Sequence, residues 1–267
     1  MHRLFFTAVA VALFGGRLAA QATESTEDTF KWSGKVPAGA WLRVDDLNGS
    51  IEVEAASGDV AEVTGEKDWR RGDPKDVRFA VVKDGDNVVI CALWGDESTC
   101  DADGSHMHHR GRHNDCCDHN DVNVRFTVRI PKGVKLSVNT VNGSLDVAGA
   151  TSEVVAETVN GRVEVTTGGG PVSANTVNGS IRVSMQAVPG SADLRFKTVN
   201  GSIVVSVPGN LNADLDMETT NGSLTSDFPL TVTGRVNPKR LRATIGSGGR
   251  HVEMSTVNGS IELRKNS

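Results

Sequence analysis

The pentapeptide Val-Asn-Gly-Ser-Ile and its near copies occur seven times, starting at Leu47, Val141, Val159, Val177, Val199, Thr220 and Val257. From Asn142 onward the Asn-to-Asn steps are 18, 18, 22, 21 and 37 residues, the last close to two periods. Such a recurrence restricts the chain to architectures in which each unit buries its apolar face against its neighbours.

Aligned on Asn, the columns separate by chemistry. Apolar side chains stand six residues before it (Leu42, Leu136, Val154, Val172, Leu194, Leu215, Val252), and four before (Val44, Val138, Ala156, Ala174, Phe196, Met217, Met254). They return three after it, at Ile51, Leu145, Val163, Ile181, Ile203, Leu224 and Ile261. Two before Asn stand Asp46 and then Thr140, Thr158, Thr176, Thr198, Thr219 and Thr256, while the intervening columns are mostly polar. This alternation is strand periodicity, one face in and one out. The inward parity changes across Asn-Gly, which requires a tight corner, and Asn-Gly supplies φ > 0 at little cost. The corners are therefore Asn48-Gly49, Asn142-Gly143, Asn160-Gly161, Asn178-Gly179, Asn200-Gly201, Asn221-Gly222 and Asn258-Gly259.

Two architectures accommodate such a unit. An antiparallel meander of hairpins would turn at each Asn-Gly. A β-solenoid would instead stack coil on coil at ~4.8 Å. The recurrence of Thr favours the solenoid, because aligned Thr hydroxyls and Asn amides form hydrogen-bonded ladders only when coils stack. Opposite charges at Glu164 and Arg182, equivalent outward positions of successive repeats, point the same way. The expectation is an all-β solenoid of 18–22-residue coils, with positions −6, −4, −2, +3 and +5 around each Asn in the core.

The hydrophobic content of 38% and aromatic content of 4%, with no Tyr, suit a thin core of Val, Ile, Leu, Ala and Thr. The net charge of −5, with both signs interspersed, points to neither nucleic acid nor an anionic membrane surface. Residues 1–22 read as a secretion signal, with an apolar stretch over Leu4–Phe14 and a small-x-small cleavage site at Ala20-Gln21-Ala22. The apolar stretch is too short to span a membrane. An exported location (periplasm, cell surface or extracellular) is therefore expected, with no membrane span in the mature chain. Residues 23–34 are a polar lead-in and 35–265 a single solenoid domain. Lys35–Gly65 matches Arg129–Val159 at an offset of 94, so 66–128 is an insertion after the first coil. Within it Val77–Val82, Val88–Leu93 and Val122–Ile130 read as strands, Asp84-Gly85-Asp86-Asn87 as a hairpin turn, and 94–121 as a long loop. Asn237-Pro238 reads as a degenerate corner, giving about seven coils between 129 and 265.

The repeated signature, with Ile245-Gly-Ser-Gly-Gly-Arg-His-Val-Glu-Met-Ser-Thr-Val-Asn-Gly-Ser-Ile-Glu-Leu263, resembles the bacterial putative-adhesin family of uncharacterised β-solenoid domains. Gly234-Arg235-Val236 and Ile90-Cys91-Ala92 carry the same resemblance, which covers roughly residues 30–265. It implies an exported, repeat-built envelope or surface protein without known catalytic residues. The His-rich run at 106–119 departs from that pattern.

That run holds five of the seven histidines, His106, His108, His109, His113 and His119, together with Cys116 and Cys117. Imidazole and thiolate are first-row metal ligands, so Zn or Ni is a candidate here, although the spacing matches no zinc signature. Cys91, Cys100, Cys116 and Cys117 are even in number within one exported segment, so disulfides are expected. Adjacent cysteines rarely bridge each other. The expected linkage joins Cys91 and Cys100 to the Cys116-Cys117 pair; a 91–100 bond is the alternative. Arg71-Gly72-Asp73 is an integrin-type tripeptide on a turn-forming stretch, and six Asn-Gly-Ser copies match the N-glycosylation acceptor. Corner chemistry accounts for the Asn-Gly-Ser copies and turn chemistry for the tripeptide.

The outward column four after Asn reads Glu52, Asp146, Glu164, Arg182, Val204, Thr225 and Glu262, a mixed solvated face without paired carboxylates or a nucleophile–base pattern. The reading favoured is a non-catalytic, adhesin-like binding or structural protein that meets a protein or glycan at the cell surface. A metal-binding envelope protein is the alternative, and a carbohydrate-active β-helix enzyme a distant one.

Overall fold

The fold is taken from a computed structural model of the chain, described over residues 23–107, 121–232 and 237–266. The two strands flanking each Asn-Gly corner go to different sheets, which makes each repeat one coil of a β-solenoid. The antiparallel meander is excluded, because neighbouring repeats pair in parallel: Leu136 lies beside Leu42 and Val154, and Val163 beside Leu145 and Ile181. Positions −6, −4, −2, +3 and +5 are buried in every coil except the outermost, where Leu224 and Ser226 are half-buried.

Three ladders hold the corners. Along the spatial order Asn142, Asn160, Asn178, Asn200, Asn258 and Asn221, each Asn amide from Asn160 onward donates to the carboxamide oxygen of the Asn before it at 2.8 Å. Each Thr hydroxyl at −2 donates to a neighbouring coil's glycine carbonyl: Thr140 to Gly49, Thr158 to Gly143, Thr176 to Gly161 and Thr198 to Gly179, at 2.9–3.1 Å. The glycines stack so closely that a Cβ on Gly161 would lie 1.8 Å from the Gly143 carbonyl oxygen. This corrects the conformational argument for glycine. Only Gly49 of the seven corner glycines has positive φ, at 146°; the others are required by close approach.

Spatial order departs from chain order. Arg250–Asn258 lies between Leu194–Lys197 and Ala213–Asn221, and Ile261–Lys265 lies between Ile203–Val207 and Leu224–Ser226. The last coil in sequence is thus the penultimate in space. Among the described residues the 37-residue step holds no further coil: Thr231–Val232 and Arg240–Ile245 extend the first sheet antiparallel beyond Ala213–Asn221. Asn237 opens the second of these strands by accepting from the Lys239 amide at 2.9 Å, so it is no degenerate corner, and six corners rather than seven follow residue 129.

Residues 66–107 and 121–128 supply an N-terminal cap that prolongs both sheets. Asn87–Trp94 runs parallel to Trp41–Asp45, with Val77–Asp84 antiparallel beyond it. Asn123–Ile130 runs parallel to Ile51–Ala55 and antiparallel to Val60–Asp68. Residues 23–34, expected as a polar lead-in, also contribute strands: Thr23–Ser25 closes the first sheet and Thr29–Lys35 the second. Phe30 anchors the latter by stacking on Phe79 at 4.9 Å, and Phe79 meets Phe126 edge-on at 5.8 Å.

This packing predicts a sharp contrast within one corner. Gly179→Ala, whose Cβ would sit 1.8 Å from the Gly161 carbonyl oxygen, and Ile181→Asp, which buries a carboxylate, each lose more than about 3 kcal/mol in urea unfolding. Exposed Arg182→Ala stays within about 0.5 kcal/mol of the parent.

Candidate functional site

Three surface features carry chemistry that the repeat does not consume. The first lies on the outer face of the cap. Phe79–Val82 and Val88–Trp94, within the strands Val77–Asp84 and Asn87–Trp94, are continuously apolar, and such stretches need cover on both faces. Inward they join the main core; outward Ala80, Val82, Val89, Cys91 and Leu93 form a second apolar cluster against Cys100. The cover is a small hairpin, Thr99–Asp101 paired with Gly104–His106, inside the stretch expected as a structureless loop. A Cys91–Cys100 disulfide, with Cα atoms 6.1 Å apart, ties it down. The expected linkage of these two cysteines to Cys116 and Cys117 is thereby corrected in favour of the alternative. Cys91 points outward beside its ladder neighbours, and the hairpin brings Cys100 over it. Cys116 and Cys117 lie outside the described residues.

Polar contacts complete the clamp. Asp45 accepts from the Ser105 amide at 2.9 Å and from Asn139 Nδ2 at 2.7 Å, and Arg43 donates to the Asp103 carbonyl. Burial pushes the Asp45 carboxyl above its usual range, outweighing these two hydrogen bonds and the nearby Arg43 and His106 charges. Gly104, at φ 121°, is held so close that a Cβ would lie 2.1 Å from Asp45 Oδ2. His106 Nε2 meets Asp101 Oδ1 at 2.9 Å, and this contact leads the lowering of the Asp101 pKa. His106 is thus placed by a carboxylate on the exposed tip. His108, His109, His113 and His119 lie outside the described residues, and among the described residues no three His, Cys, Asp or Glu side chains are grouped to hold a metal.

The second feature is the outer face of the first sheet beside the corners. Val159, Val177, Val199 and Val257 are each about two-fifths exposed and stack in consecutive coils. Next to them a groove of about 340 Å³ is lined by Asn139, Glu157, Asn175, Val159 and Val177 with the buried threonines below. Asn175 Nδ2 donates to Glu157 at 2.8 Å.

The third is a cleft of about 590 Å³ where the loops after Met185 and Val207 meet the Gly248–Arg250 turn. Its floor is Arg250, a residue that sequence reasoning missed. It is 5% exposed and donates to the carbonyls of Ala192, Val188, Pro189 and Gly190. Those bonds commit both terminal nitrogens of the guanidinium, so it clamps the loops together.

The remaining motifs have structural partners. Asp121 accepts from the amides of Arg70, Arg71 and Gly72, and Asp73 caps the short helix Pro74–Asp76 through the Lys75 amide, so the Arg-Gly-Asp stretch is built into a turn. The corner Asn side chains are committed to their ladder or, for Asn48, to the Val122 carbonyl at 2.8 Å.

The hairpin gives a direct check. Non-reducing peptide mapping is expected to recover Cys91 linked to Cys100. Cys100→Ser should cost about 2.5 kcal/mol by loop-closure entropy and expose the outward apolar cluster to a dye such as ANS.

The Toastrack DUF4097 family profile matches residues 45–264. Two solved structures align with the chain. One is a putative cell adhesion protein from Clostridium sporogenes ATCC 15579, 8% identical, covering 92% of this chain and 100% of that chain at TM-score 0.42. The other is a putative adhesin from Bacteroides fragilis NCTC 9343, 9% identical, covering 89% and 97% at TM-score 0.35. No match was found among curated proteins. With a coil stack of this kind and a family match that runs from the first coil to the last, the chain belongs to the Toastrack DUF4097 family.

Proposed function

We propose that this is an exported, non-catalytic binding module of the cell envelope or surface, which recognises an extended protein or glycan chain along the outer face of the first sheet. The observation that carries the reading is the repetition of exposed Val159, Val177, Val199 and Val257 beside a shallow groove that displays Asn139, Glu157 and Asn175. Stacked coils present like groups at one strand spacing, ~4.8 Å. An extended chain meets such a track more readily than a compact small molecule does, and solenoid faces serve as elongated binding surfaces. The leader at 1–22 supports export.

The experiment is a binding screen of the native chain against glycan arrays and envelope fractions, repeated with Val159→Glu and Val177→Glu. Both side chains are exposed, so circular dichroism and melting should be unchanged while binding falls at least tenfold. Binding that survives both substitutions moves the surface elsewhere. Intact mass of secreted protein should show cleavage after Ala20 or Ala22.

A second reading, metal binding, is favoured by His106, whose ring is oriented by Asp101 in the way outer-shell carboxylates orient ligand imidazoles. It would use His106, His108, His109, His113 and His119 with Zn²⁺ or Ni²⁺. Uptake measured by calorimetry should then weaken as pH falls through about 6.5, where imidazole protonates.

A further inference from the structure

The ladder of hydroxyl donors has seven places and six threonines. Thr140, Thr158, Thr176, Thr198, Thr256 and Thr219 donate to the carbonyls of Gly49, Gly143, Gly161, Gly179, Gly201 and Gly259. The seventh place, two residues before Asn48, is Asp46, and it is 5% exposed. Among the described residues no glycine precedes Gly49 in the stack; Val124 stands there instead. A Cβ on Gly49 would lie 1.8 Å from the Val124 carbonyl oxygen, the same distance that separates a Cβ on Gly143 from the Gly49 oxygen. Val124 donates its amide to the Asn48 carbonyl at 2.8 Å. The Val124 carbonyl therefore stands to Asp46 as the Gly49 carbonyl stands to Thr140.

The two oxygens of Asp46 are unequal. Oδ1 accepts the Leu47 amide at 2.9 Å, whereas Oδ2 is buried without a hydrogen-bond partner. A carboxylate oxygen buried near a carbonyl is doubly unfavourable, since both are acceptors. A carboxylic acid O–H in the same place supplies the donor that the other coils draw from threonine.

We propose that Asp46 is the seventh donor of this ladder, held as a carboxylic acid whose O–H bonds the Val124 carbonyl, and that this proton latches the N-terminal cap to the coil stack.

The surroundings agree. Burial pushes the Asp46 carboxyl up to about 8, the Asp45 charge acts in the same direction, and the Leu47 and Asn48 amides oppose them. Around it, Val122 and Val124 of the cap and Asn139 and Thr140 of the next coil carry no charge. The charged groups of this junction, Arg43 and His106, act on Asp45. When the joint opens, Asp46 returns towards its ordinary value of 3.8. Between that value and about 8 the closed joint keeps a proton that the open one loses. The latch is complete below about 4 and is lost progressively as pH rises to about 8. Because neighbouring Asp45 holds the Ser105 amide, loosening here reaches the disulfide-tied hairpin as well.

The test is hydrogen exchange of the full chain, corrected for intrinsic rates, between pH 5 and 8. Opening at the Val124 and Phe126 amides is expected to rise about tenfold per pH unit, while the Ile181 amide in the middle of the stack stays protected. Asp46→Asn and Asp46→Thr, each neutral and each a donor, should flatten that slope; His106→Gln should keep it. Asp45→Asn should keep a slope that ends at lower pH. In the parent protein the Asp46 carboxyl ¹³C resonance should titrate near pH 8, a readout that needs no variant to fold. A titration midpoint near 4, or a parent slope retained by both Asp46 variants, overturns the proposal.

Discussion

A Cβ at any corner from Gly143 onward would sit 1.8–2.0 Å from the carbonyl oxygen of the adjoining coil's glycine. That approach sets the spacing at which everything else works. With the backbones this near, an Asn carboxamide reaches the next Asn at 2.8 Å and a Thr hydroxyl reaches a glycine carbonyl at 2.8–3.1 Å. Three ladders thus run through three residues of each corner, Thr, Asn and Gly. Loss of a Thr hydroxyl leaves a glycine carbonyl beneath the corner without its partner, at about 1–3 kcal/mol. Conformational freedom alone would let Asn or Asp replace the glycine; contact with a carbonyl oxygen lets nothing replace it.

Identical layers leave their order unspecified, since every coil offers the same acceptors to whichever coil arrives next. The residues that settle the order are the ones the repeat does not share. Glu253 pairs with Arg195 at 3.0 Å and Lys197 at 2.6 Å, which matches the last coil in sequence to the Asn200 coil. Asp216 pairs with Arg242 at 3.1 Å and Arg240 at 3.3 Å, holding the returning strand against the outermost coil. Arg250 then binds the last coil to the loop at 188–192 through four carbonyls. Exposed ion pairs of this kind add little stability, but a wrong stacking order would take Glu253 from Arg195 and Lys197 and leave Arg250 buried without acceptors. Their effect is on specificity.

The coil, its inward columns and the cap strands were legible because alternation and period are local signals. Leu42 and Leu136, equated by the offset of 94, are register partners in adjacent coils. The insertion of the Asn258 coil was not legible, because the ladders that place it are blind to chain order. The hairpin over the cap was hinted at: Phe79–Val82 and Val88–Trp94 are apolar on both faces, which demands an outer cover, and Cys91 lies within the second run. Reading 94–121 as loop missed this because Thr99–Asp101 and Gly104–His106 are too short and polar to show alternation. Arg250 was invisible for another reason. Its partners are carbonyls, and no side-chain pattern announces them.

A ladder also has two ends, and at each the repeat must be broken by a residue of another kind. At the outer end the Gly222 carbonyl accepts from Lys239 Nζ at 2.6 Å, so an exposed cation takes the place of the threonine that a further coil would bring. At the inner end Asp46 stands in the equivalent column, covered by the cap. A charged donor suits the solvated end, where water supports the ammonium. The buried end has no such support, and there a neutral acid satisfies the same geometry without placing a charge in the core. The sheet edges follow the same division. Leu224–Ser226 is only three residues long, while the longer Thr29–Lys35 edge carries exposed Lys31 and Lys35, which oppose pairing with another strand. What the stack does in its middle is dictated by repetition; what it does at its ends is dictated by where water stops.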